Sequence, residues 1–147
     1  WFALGRIEAE RGRTDAALEA FRRSMQLETG RGRREYRDLL LESGRPTELA
    51  ALARAELAED PSAAIAWWDL GAAELALGRP ANAAAAYDGA LRHLPALLAR
   101  RSTLPPDELS PEQADLLNLR AVARLKAGDL AGARTDCAWL GTRQPRG

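Results

Sequence analysis

The chain is poor in most of the residues that carry chemistry. It has one cysteine and one histidine in 147 residues. A lone Cys137 can form no internal disulfide, which leaves the redox compartment open. Metal sites draw several Cys or His at fixed spacings. His93 and Cys137 are far apart in sequence, so no metal, no cofactor and no catalytic constellation is expected. A glycine-rich phosphate loop is missing, and the many carboxylates are scattered over helix surfaces. The chain therefore reads as a non-enzyme. His93 is expected at a helix end facing solvent or the helix dipole, and Cys137 in the core.

β-branched residues are also scarce, limited to Ile7, Ile65, Val122 and a few Thr. Strands favour such residues. Ala, Leu, Arg and Glu dominate instead, and these form helices readily. The balance of 21 basic and 21 acidic residues leaves no net charge, whereas nucleic-acid modules are usually basic. No apolar run approaches the roughly 20 residues that span a bilayer. Neither a nucleic acid nor a membrane is thus expected as partner. Lysine is nearly absent, Lys126 alone against many Arg, a usage typical of GC-rich bacterial genomes. No signal peptide is visible, which favours the cytoplasm. The chain opens on Trp1 in mid-pattern, however, and reads as a piece of a longer protein that could have lost a targeting segment.

What is present is a repeat. Trp67-Trp68-Asp69-Leu70-Gly71 is followed by Gly78, Ala83, Tyr87, Ala90 and Pro95. Laying Trp1 on Trp67 aligns Leu4-Gly5, Gly12-Arg13, Ala17 and Phe21 with their counterparts. Two fainter copies keep the turn and the closing proline. One holds Gly44-Arg45-Pro46 and Asp60-Pro61, with Arg33, Tyr36-Arg37 and Ala53 in the motif places. The other holds Ala121, Gly128-Asp129, Ala133 and Pro145, with Leu117 for the Trp and Cys137 for the second aromatic. Gly12, Gly44, Gly78 and Gly128 each supply a left-handed helix cap. A helix start follows each: Thr14 or Asp129 as N-cap, Pro46 or Pro80 in the first turn. The pattern predicts eight helices, at about 1–11, 14–28, 32–43, 46–59, 63–77, 80–93, 111–127 and 130–141. Between Pro95 and Ala114 lie about sixteen extra residues, and the adjacent Pro105-Pro106 exclude a continuous helix through them. A short extra helix from Pro95 is expected there, and Ser110-Pro111-Glu112-Gln113 reads as a capping box that restarts the chain.

This pattern resembles the tetratricopeptide repeat, a helix-turn-helix unit written W-x2-L-G-x2-Y…A-x3-F…P. The aromatic three residues after the glycine is replaced by Glu8 and Glu74. The resemblance implies an all-α fold, an α-solenoid of four repeats and eight helices in one domain. The repeats fall at about 1–30, 31–62, 63–96 and 114–147, with an insertion at about 97–113 that is read as a surface loop or as a segment folding over the groove. The stability of such an array is a sum of repeat and neighbour terms.

The resemblance also implies a job and a surface. Members of the family bind partner segments on the concave face lined by first helices. Carried onto this chain, that stripe holds Phe2, Arg6 and Ala9; Arg34, Asp38 and Leu41; Ile65, Trp68, Ala72 and Leu75; Asp115, Asn118, Val122 and Leu125. Trp1, Trp67, Phe21 and Tyr87 fall in the core places. Trp68 sits about 100° round the helix from Trp67 and is the expected anchor, with Arg6 and Arg34 pairing acidic groups of the partner. The carboxylate clamp of chaperone adaptors in this family is missing, since Phe2, Arg6, Ile65 and Asp69 stand at its places. The run Arg31–Arg37 reads as a solvated helix start; an acidic-partner patch or a nucleic-acid contact would show strong salt dependence. The expected function is a protein-interaction scaffold. The alternative is a self-association segment of a larger bacterial regulator, a homo-oligomer joined through the ends of the array, where Trp139 lies.

Overall fold

Eight helices and no strand run through the described residues: α1 (Phe2–Glu10), α2 (Thr14–Leu27), α3 (Arg33–Glu42), α4 (Pro46–Glu59), α5 (Ala64–Ala76), α6 (Pro80–Leu98), α7 (Pro111–Ala127) and α8 (Leu130–Arg143). The structure is a computed structural model and describes residues 1–28, 30–98 and 110–143. The chain divides into two compact units, Trp1–Leu49 and Ala50–Gly147.

The four hairpin turns are built alike. Gly12, Gly44, Gly78 and Gly128 all take positive φ, between 71° and 86°, where a Cβ would be strained. In each, the residue after the glycine donates its backbone N–H five residues back. The bonds run from Arg13 to Glu8, Arg45 to Leu40, Arg79 to Glu74 and Asp129 to Arg124, at 2.8–2.9 Å. This is the Schellman closure of a helix end. Ser110 and Gln113 form the expected capping box at α7. Asp129 accepts the N–H of Gly132 at 2.9 Å, as an N-cap would. Thr14 is not a cap; Arg13 occupies that place.

Each unit packs small residues against aromatic rings. A Cβ on Gly5 would lie 2.5 Å from the Phe21 ring, and one on Gly71 would lie 2.6 Å from Tyr87. Phe21 and Tyr87 are accordingly buried. In the second unit Ala64, Ala83, Tyr87, Ala90, Leu94, Leu116 and Ala123 form one core, with Trp67 and Trp68 packed on its edge. Burying each large apolar side chain contributes about 1.5–3 kcal/mol.

Three expectations need correction. Trp1 is 47% exposed, although Trp67 at the same motif place is half-buried. The cause lies on the second helix. Trp67 rests on Gly89, where a Cβ would come within 2.7 Å of the ring. The equivalent position beside Trp1 is Arg23, whose guanidinium stacks 4.7 Å above the indole. Cys137 is exposed rather than buried, because α8 turns Asp136 inward to meet two arginines of α7. Helix α6 does not stop at residue 93 but continues through Pro95 to Leu98. The missing N–H and the ring of Pro95 disturb one turn, while burial of Leu94 holds that turn in place. His93 is therefore inside a helix and half-buried. Of the insertion expected at about 97–113, residues 99–109 lie outside the described residues.

Candidate functional site

The motif aromatic that the sequence lacks has been exchanged for charge, and the turn explains how. The Schellman closure brings the eighth position of the repeat, counted from the motif Trp place, beside the residue after the turn glycine. Glu8 pairs with Arg13 and Glu74 with Arg79 at 3.5 Å. In the last repeat the signs reverse, with Arg124 against Asp129 at 3.7 Å. Glu74 also binds Arg54 of α4. Its side chain is only 3% exposed, and its Oε2 has ionic contact with Arg79 but no hydrogen bond.

A second ionic cluster joins α6, α7 and α8. Arg120 donates to Asp88 at 2.8 Å and to both oxygens of the buried Asp136. Arg124 adds a contact to Asp136 at 2.9 Å. The Arg92 hydrogen bond, with Arg120 nearby, holds the Asp88 carboxyl below the usual carboxylate range. In the first unit, hydrogen bonds from Arg45 to Glu48 and Asp15 raise the arginine's pKa further, so it stays charged.

The first unit contains a cleft of about 250 Å³ lined by Arg6, Ala9, Glu10, Phe21, Glu35, Asp38, Leu39 and Glu42. Three residues of the predicted stripe, Arg6, Ala9 and Asp38, thus meet there from α1 and α3. Phe21 and Leu39 give it an apolar floor. Four carboxylates face one guanidinium, a net formal charge of −3 (one minus four). Asp38 is bonded to its neighbour Arg37 at 3.2 Å. Sequence reasoning missed Glu10, Glu35 and Glu42 because they lie off the single stripe drawn along each helix.

The other predicted positions are distributed as follows. Phe2 is half-buried, packed 6.0 Å from the Phe21 ring and capped by the Arg31 guanidinium at 4.6 Å. Arg34 is exposed. In the second unit Ile65, Asp115, Asn118 and Val122 are exposed, and Trp68 and Ala72 are half-buried. A second cleft of about 230 Å³ in that unit is built from other residues: Leu91, Gln113, Leu117, Arg120, Thr135, Asp136 and Trp139. Among these, Gln113 is the expected helix cap and Leu117 the expected motif residue, and Trp139, expected at the end of the array, is 45% exposed. Among the described residues no group of three His, Cys, Asp or Glu could hold a metal ion, and no helix is long and apolar enough to cross a membrane.

Comparison with protein families returns one description, tetratricopeptide repeat, whose model matches residues 38–96 and again residues 87–138. None of the curated proteins compared with the chain matches it.

Proposed function

Because the chain belongs to the tetratricopeptide repeat family, we propose that it is a non-catalytic scaffold that takes up a partner protein's segment on the faces of its first helices. Repeats of this family generally mediate protein–protein interaction. The contact residues we assign are Phe2, Arg6, Arg34 and Asp38 in the first unit, and Ile65, Trp68, Ala72, Asp115, Asn118 and Val122 in the second. The observation that carries the reading is the cleft between α1 and α3, where Arg6, Ala9 and Asp38 converge over an apolar floor.

Its charge refines the partner. An acidic segment would meet Glu10, Glu35, Asp38 and Glu42, and like-charge juxtaposition is costly. A segment alternating Arg or Lys with apolar side chains is complementary, so Arg6 serves as a register-setting exception rather than as the main attraction. The test is fluorescence anisotropy with a labelled peptide of alternating Arg and Leu against the same peptide with Glu for Arg. The basic peptide should bind, lose affinity with salt over the screening range, and lose it again on Asp38→Lys or Glu42→Lys. Equal binding of the acidic peptide would refute the cleft as the site. Trp68→Ala with unchanged helicity and unchanged affinity would remove Trp68 from the contact set.

A further inference from the structure

The last repeat inverts a packing pair of the repeat before it. Trp67 of α5 rests on Gly89 of α6. Fifty residues on, Leu117 stands for Trp67 and Trp139 for Gly89. The ring has moved from the first helix of the hairpin to the second. Leu117 is 6% exposed and Trp139 45%, so the smaller side chain lies inside and the indole stands toward the surface. The inverted pair leaves a cleft of about 230 Å³, with Leu91 of α6 as its third apolar wall. Its lining comes from three successive helices of one unit, α6, α7 and α8.

The polar groups around this cleft are spent unequally. Asp136 is buried, and its carboxylate takes two hydrogen bonds from Arg120 and a contact from Arg124 at 2.9 Å, so it presents no uncompensated negative charge. Thr135 donates its hydroxyl proton to the Ala131 carbonyl at 3.1 Å. Gln113 accepts the Ser110 N–H on its side-chain oxygen at 2.9 Å, which leaves its amide N–H groups for the cleft. An arginine has five N–H groups. Arg120 spends three of them on Asp136 and Asp88, and two (five minus three) remain on a side chain only 15% exposed. The spare capacity is therefore mostly donor, beside three apolar walls. We propose that the cleft binds a small aromatic carboxylic acid as a free molecule. The ring lies among Leu91, Leu117 and the Trp139 indole, and the carboxylate takes the spare N–H groups of Arg120 and Gln113. Charge-assisted hydrogen bonds of this kind are stronger than neutral ones. The volume falls below the roughly 300–1,000 Å³ of sites for drug-sized ligands, which suits one or two fused rings and not a peptide segment. This activity goes beyond segment binding by the first helices, and it belongs to the other unit from the α1–α3 cleft.

Fluorine NMR of the full chain labelled with 5-fluorotryptophan gives four signals, one for each tryptophan, and Trp139→Phe assigns the one at the cleft. On titration with 2-naphthoate the Trp139 signal should shift saturably, with a Kd of about 0.1–1 mM as suits a fragment-sized ligand. The Trp1 signal, from the other unit, should stay in place. The neutral 2-naphthamide should bind about tenfold more weakly, and the cationic 2-naphthylmethylamine should not bind. Saturation transfer to the ligand reads the variants. Leu91→Trp fills the cleft and should abolish binding. Trp139→Ala, at a partly solvated position, should weaken binding about tenfold with helicity intact, and it decides the matter should Leu91→Trp fail to fold. An unmoved Trp139 signal, equal binding of acid and amide, or a Trp139→Ala chain that binds like its parent overturns the proposal. A peptide ending in phenylalanine with a free carboxylate, if it binds more tightly than 2-naphthoate, overturns the free acid in favour of a chain end.

Discussion

Glu74 and Arg54 form an ion pair between successive helices, with the carboxylate side chain 3% exposed and the arginine 54% exposed. The pair occupies the place where the repeat motif carries an aromatic ring. A charge so deeply buried is tolerated only when it is paired, and Glu74 has Arg79 as a second partner. Glu74→Ala should lower unfolding free energy by about 1–3 kcal/mol, the range for losing charged hydrogen bonds in a buried site. Arg54→Ala should cost less, about 1 kcal/mol, since its guanidinium is largely solvated. The double variant should be less destabilised than the sum, with a coupling of about 0.5–3 kcal/mol. Urea denaturation of all four proteins measures this; strict additivity would mean that the pair contributes nothing.

Gly71 is a packing requirement rather than a flexible point. It lies inside α5, where alanine would ordinarily gain about 1 kcal/mol of helix propensity. Its missing Cβ leaves room for Tyr87, at 2.6 Å from the position that atom would take. Overpacking a core costs about 1–3 kcal/mol, so Gly71→Ala should lower the thermal midpoint despite the better helix former. Placing the same substitution in a Tyr87→Leu background should reduce the penalty. A Gly71→Ala protein with an unchanged or raised midpoint would show that the ring can move aside.

Acid should act through Asp88. Hydrogen bonding from Arg92, with Arg120 beside it, lowers the folded-state pKa of this carboxyl. A depressed carboxylate pKa gives stability that is complete above the unfolded value, about 3.9, and is lost as pH falls through the folded value. Asp60, lowered by Ser62, works in the same direction. Between about pH 5 and pH 2 the parent chain should therefore lose more stability than Asp88→Asn does. Denaturation midpoints measured across that range give the comparison, and parallel curves would refute it.

The legible and illegible parts of this chain separate by the range of the interaction. Gly12, Gly44, Gly78 and Gly128 announced their turns because a left-handed cap is decided by one residue's own sterics. Phe21 and Tyr87 were placed correctly because their small partners, Gly5 and Gly71, recur at the motif spacing. Trp1 was misplaced because its exposure depends on Arg23, which stands where the better copy has Gly89, on a different helix. Helix α6 passed through Pro95 because burial of Leu94 outweighs a local breaker. The stripe drawn along each first helix brought Arg6 and Asp38 together. It missed Glu10, Glu35 and Glu42, since a cleft is bounded by the flanks of two helices and a stripe records only one line of each.

Cys137 illustrates the same point and can be tested simply. The repeat alignment puts it in the place of Tyr87, a fully buried ring, yet its side chain is exposed. The inward position of α8 is taken by Asp136, held by Arg120 and Arg124. Two guanidiniums thus hold a buried carboxylate on the inward side of α8. The thiol of the native chain should react with a disulfide reagent at a rate close to that of the urea-unfolded chain, because access and not unfolding limits it. Cys137→Ser should change stability by no more than about 0.5 kcal/mol, as expected for a surface site, whereas Asp136→Ala should cost about 3–5 kcal/mol by leaving the arginines unpaired. A thiol that reacts only on unfolding would restore Cys137 to the core and reverse the reading of α8.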